Sequence, residues 1–353
     1  MQILNKRALA STVVVLAWLW QAGVVHAASS CLTPDSNSTI STCYFDLTQS
    51  PSSTQNPPSA VLNGGLFQVP DSSGSFGGSS IVGTGVLNPF VRIQESANGS
   101  WKDSNGIEAG FNTSADVKRT SLLDDHDSGG RNWNHAIQLS DLCKVTVDGI
   151  DYYQFVLDIN EQGNDKNSGL SLDEFKLFYA DSGNLKDFTG NNDTSGYSDF
   201  ALTGATKAYD MDAGPGGDAS ILMDYRNFSG SGNGIDLQAL VPTANFAGVA
   251  SNSYIYLYSK FGATGNTCIT NNTTDSSCMT PDGTTGTGTS IGTAKDTKAG
   301  SLSMLADAGF EEWSIACKSC TVPEPQSLAL MGLGLVGLLM TRRRVGAGGG
   351  LAA

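Results

Sequence analysis

The chain has 353 residues, with 20 Lys and Arg against 34 Asp and Glu, a formal net charge of −14 and 42 glycines. That acidity argues against nucleic acid, or an anionic membrane surface, as a partner of the chain's body. Seven cysteines suit an oxidising compartment in which most are paired.

Residues 1–27 read as a signal peptide. Lys6 and Arg7 precede an apolar run over 8–25, and Val25-His26-Ala27 offers a small-x-small cleavage site. This implies the Sec translocon and signal peptidase as partners. The two terminal segments hold five of the Lys and Arg but one acid, which leaves about −18 on the part between. Residues 28–59 are rich in Ser, Thr, Pro and Asn and read as a flexible or loosely stapled leader.

From 60 to 316 the pattern is all-β, a β-sandwich or jelly-roll-like body. Apolar runs bounded by glycine turns predict strands over 61–69, 81–94, 136–139, 143–147, 151–159, 172–179, 219–225, 254–261 and 310–316. Asp148-Gly149 between two of them is a tight-turn signal, so 143–147 and 151–159 form a hairpin. Tyr153, Phe155, Leu157 and Ile159 alternate as on a half-buried strand. The strand over 254–261 is apolar on both faces and therefore central. Residues 268–300, poor in apolar side chains, read as a long loop or insertion.

Local spacing pairs Cys31 with Cys43, Cys268 with Cys278 and Cys317 with Cys320, and leaves Cys143 over as a buried free thiol. No thioredoxin-like βαβ pattern surrounds the Cys317–Cys320 spacer at 317–321, so it reads as a structural loop. Asp158 to Gly163 begins like an EF-hand loop, but Gly169 stands where the closing glutamate belongs. A looser calcium site on a glycine-rich turn has its best ligands in Asp210, Asp212 and Asp218. Asp158, Asn160 and Asp165 come second, and Asp124, Asp125 and Asp127 third. Each stands against the plainer reading of a solvated acidic loop, so the expected cofactor is none, with calcium as the alternative.

Catalysis has few candidates. His126 and His135 lack a nucleophile motif. The pairs Asp173-Glu174 and Glu311-Glu312 are adjacent strand residues that should face opposite ways, unlike the facing carboxylates of a glycosidase. Trp101 and Trp133, in Gly- and Asn-rich loops, either stack on a sugar ring or pack over the sandwich edge. Trp313 reads as core.

The chain closes with Val322-Pro323-Glu324-Pro325, an uncharged run over 327–341, then Arg342-Arg343-Arg344 and a Gly-rich tail over 345–353. As a helix the run spans roughly 22 Å, short of a ~30 Å hydrocarbon core, and the arginines hold its far end in the cytoplasm. This order, over 322–344, resembles the PEP-CTERM sorting signal of Gram-negative bacteria. The resemblance implies a short transmembrane helix, anchoring in the inner membrane during transit and processing by exosortase. It also implies delivery to the cell surface or the exopolysaccharide matrix. Runs such as 155–161, 170–176 and 254–258 resemble the bodies of other proteins with that tail. The expectation is a noncatalytic exported protein of surface or biofilm. A calcium-assisted glycan-binding adhesin and a polysaccharide-active enzyme are the alternatives.

Overall fold

In a computed structural model of the chain, the described residues are 29–32, 42–48, 58–70, 75–76, 79–80, 88–93, 106–115, 134–161, 168–190, 200–214, 217–227, 235–263, 304–306 and 309–315. Residues 1–27, expected to be a signal peptide, Trp101, Trp133, the cysteines at 268, 278, 317 and 320, the expected loop or insertion over 268–300 and the sorting segment with its hydrophobic run lie outside them. Among the described residues no helix is long and apolar enough to cross a membrane.

The strands are β1 (Ser29–Leu32), β2 (Thr42–Asp46), β3 (Ser59–Leu62), β4 (Gly65–Gln68), β5 (Ser75–Phe76), β6 (Ser79–Ser80), β7 (Asn88–Ile93), β8 (Glu108–Phe111), β9 (Ile137–Gln138) and β10 (Lys144–Val147). They continue as β11 (Ile150–Asp158), β12 (Gly169–Ala180), β13 (Phe188–Thr189), β14 (Ala201–Leu202), β15 (Thr206–Asp210), β16 (Asp218–Asp224), β17 (Leu237–Pro242), β18 (Tyr254–Phe261) and β19 (Glu311–Ile315). One sheet runs β1-β2-β16-β12-β18-β8, with β15 on β12 and β9 on β18. The other runs β3-β4-β17-β11-β19-β7, with β10 on β11. The pairing of β2 with β16 is parallel; the other ladders are antiparallel.

Both sheets feed one apolar core, which makes the body a two-layer β structure. Phe175 of β12 is its hub. It meets Phe67 of β4 edge-on at 5.5 Å, Phe155 of β11 at 6.0 Å and Trp313 of β19 at 4.9 Å. All three belong to the opposite sheet, so one ring packs against three strands. Trp313 is fully buried and donates its Nε1–H to Ser259 Oγ at 2.9 Å, joining the sheets by a hydrogen bond as well.

The small sheet of β13 and β14 covers the other face of the eight-stranded sheet. Phe200 stacks on Tyr258 at 3.9 Å, and Phe111, Phe178 and Tyr256 pack around them. This second layer is why β18 is apolar on both sides, as its sequence predicts. The hairpin of β10 and β11 also forms as expected, turning through Asp148 and Gly149 at φ 50° and 80°.

Four expectations are corrected. Residues 61–69 form the hairpin of β3 and β4 rather than one strand, turning at Asn63-Gly64 with both φ positive, which is the type I′ signature. The leader contributes β1 and β2, with Tyr44 and Leu47 buried. β11 is buried on both faces: Tyr152, Gln154 and Val156 are as enclosed as the core-facing residues. Cys143 is disulfide-bonded, not a free thiol, as is Cys43. Cys31 stands directly opposite Cys43 in the β1–β2 ladder.

Candidate functional site

The strongest cluster of chemically capable groups lies where β15 leaves its sheet. Asp210 ends the strand and caps the short 3-10 turn Met211–Ala213, its Oδ1 accepting from Asp212 N at 3.1 Å. Met211 is buried in the core and fixes that turn. Asp212 Oδ1 accepts from Ala219 N at 2.9 Å, which ties the turn to β16. Asn63, from the β3–β4 hairpin, donates its side-chain N–H to Asp210 O at 2.9 Å.

Glu174 enters from β12 because of a bulge. Leu172 and Phe175, three apart, both face the core, and the register with β18 shifts between Leu172 and Glu174. Asp173 and Glu174 therefore share the outer face, and the expectation that this pair would face opposite ways is corrected. Asp173 is occupied there, accepting from Ser171 Oγ and Ser220 Oγ at 2.8 Å each and from Ala263 N at 2.7 Å. Glu311 and Glu312 do alternate, Glu311 fully enclosed and Glu312 3.5 Å from Arg92 Nε on the other face.

Carboxylate oxygens of Glu174, Asp210 and Asp212 come within 4.8 Å of one another. Of the expected calcium ligands, Asp210 and Asp212 meet, while Asp218 stands outside the group and Glu174 takes its place. The sequence holds a signal for Glu174 in the three-residue step from Leu172 to Phe175 within a period-2 strand. Two ammonium groups enter the cluster, Lys176 Nζ 2.5 Å from Glu174 Oε2 and Lys207 Nζ 2.7 Å from Asp210 Oδ2. They supply positive charge that a bound cation would otherwise supply.

Burial dominates the electrostatics. It pushes the Asp212 carboxyl up to about 10, with Glu174 adding to the effect and the Ala219 N–H opposing it. Burial also raises Glu174, against the pull of Lys176. For Lys176 burial acts downward, but Glu174 and Asp210 outweigh it and the net shift is up. The arrangement can hold a shared proton and two ion pairs.

Elsewhere, His135 sits before β9 with its backbone N–H on Phe90 O at 3.2 Å, and burial lowers its pKa against Asp141. Asp158 ends β11 and Asn160 follows it. His126, Asp124, Asp125, Asp127 and Asp165 lie outside the described residues.

The comparison that identifies part of the chain falls at its end, where residues 321–344 match the PEP-CTERM protein-sorting motif. The tail is a PEP-CTERM signal. It contains Val322, Pro323, Glu324 and Pro325 and closes on Arg342, Arg343 and Arg344. A PEP-CTERM signal implies exosortase as processing partner and export through the membrane to the cell surface. No curated protein and no solved structure matches the chain.

Proposed function

We propose that this protein is a noncatalytic component of the cell surface or extracellular matrix, associated with exopolysaccharide or biofilm. The PEP-CTERM signal over residues 321–344 carries the reading. Part of the body supports it, because several of its carboxylates serve as structural acceptors. Asp173 pins a bulge, Asp210 caps a turn, and Asp224 holds Ser168 Oγ at 2.9 Å and Arg226 Nη2 at 2.6 Å. In this reading the signal peptide of residues 1–27 starts export, and the segment 327–341 holds the chain in the inner membrane until exosortase acts.

The test replaces Pro323, Glu324 and Pro325 by alanine in the native host and follows the protein by fractionation and intact mass. Wild-type protein should appear in the surface or matrix fraction without its tail, and the variant should stay in the membrane fraction with its tail intact. Equal delivery of the variant, or an intact tail on the delivered wild type, defeats the reading.

A further inference from the structure

At one end of the two sheets, three segments each deliver a glutamate to the space between them. Glu108 opens β8 opposite Phe261, and Glu311 opens β19 opposite Ile93. Phe261 and Ile93 are core residues, so both glutamates face inward with them. Glu161 lies three residues past the end of β11. The three are 6%, 0% and 4% exposed for Glu108, Glu311 and Glu161.

Glycines draw these segments together. A Cβ on Gly262 would overlap the carbonyl oxygen of Gly106, two residues before Glu108. One on Gly309, two residues before Glu311, would overlap the carbonyl oxygen of Asn160, the neighbour of Glu161. Ala306 N donates to Gly106 O at 2.9 Å and closes the same end.

Glu311 is the decisive residue. The Glu108 carboxyl and the residue's own N–H approach its oxygens, the first a contact between two carboxyls that bonds only when one of them carries a proton, and both oxygens are buried with no other donor in bonding position. The further charges acting on it, Glu161 and Asp158, are negative. A fully enclosed carboxyl faced chiefly by other carboxyls is rare in folded proteins, and a bound ion is one of the few things that explains it.

We propose that Glu108, Glu161 and Glu311 form a binding site for a hard divalent cation, calcium first, that joins the two sheets at this end. Calcium takes six to eight oxygens at about 2.3–2.6 Å in flexible geometry, and backbone carbonyls commonly complete the carboxylate set. β8 and β19 belong to opposite sheets, so the ion acts as a clasp. The site is separate from the Glu174–Asp210–Asp212 cluster, where Lys176 and Lys207 already bring positive charge.

The full-length protein, stripped with chelator, is titrated with CaCl2 while its melting temperature is followed, and in parallel with Tb3+, whose emission Trp313, two residues from Glu311, is placed to sensitise. Calcium near a hundredfold its dissociation constant should raise Tm by about 5 °C or more, and Tb3+ emission should rise and be competed away by calcium. Glu311→Gln should abolish both responses and Asp212→Asn should leave both intact; if Glu311→Gln fails to fold, Glu161→Gln gives the same reading. Absence of both responses in the wild-type protein overturns the site. So does their survival in the glutamate variant, or their loss in Asp212→Asn alone.

Discussion

Asn112 shows how single side chains complete this fold. It follows the last residue of β8, is fully buried, and replaces a ladder rung with its amide. Its Nδ2 donates to Ile255 O at 2.9 Å and its Oδ1 accepts from Leu257 N at 2.7 Å. Asp212 is the opposite case, since Oδ2 is buried without a partner. Its carboxyl titrates at about 10 in the fold against an ordinary 3.8. Below about pH 4 it is protonated both folded and unfolded. As pH climbs toward 10 the unfolded chain ionises first, so the folded state loses stability over that window. Asp212→Asn can still accept from Ala219 N but cannot ionise. It should therefore gain on the wild type between pH 5 and pH 9, by at most ~1.4 kcal/mol per pH unit. Urea midpoints at several pH values measure this, and a gap that stays constant with pH would contradict it.

At the scale of elements, pairing depends on where the period of two is interrupted. The strands β10, β11 and β18 were legible because their alternation runs unbroken and Asp148-Gly149 marks the turn. The β3–β4 hairpin was equally marked by Asn63-Gly64 but hidden by continuous apolar residues on both sides. Glu174's place in the cluster needed the bulge, and a bulge shows in sequence as a one-residue slip that a loop can imitate. β2 was missed because Thr42–Asp46 is a short strand in a Ser- and Thr-rich stretch, and its partner β16 lies more than 170 residues on. The burial of β11 on both faces also escaped, since Gln154 is enclosed through the amide ladder from Gln154 to Gln238 and on to Gln68, each step 3.0 Å. Phe175 lies where the elements converge. Phe175→Ala should cost about 3–5 kcal/mol of unfolding free energy, measured by denaturant titration. A loss under 1 kcal/mol would mean that the sheets do not depend on that ring.

For the whole molecule, the parallel pairing of β2 with β16 brings a segment from the first fifty residues beside a strand formed much later in the chain. Five residue pairs make that ladder, and Tyr44 and Leu47 are buried behind it. Removing residues 28–48 should cost about 3–5 kcal/mol from those two side chains alone, a large share of a typical domain's stability. Limited proteolysis should then cut near β16, and a truncated body as resistant as the intact one would show that the segment is dispensable. The bonded state of Cys43 and Cys143 has a consequence of simple parity. Seven sulfurs cannot all find partners within one molecule, so at least one of those at 31, 268, 278, 317 and 320 stays reduced or reaches another molecule. Alkylation of unreduced, unfolded monomer should tag at least one of those five and spare 43 and 143. Any covalent joining of neighbouring copies through sulfur would therefore run through those five positions.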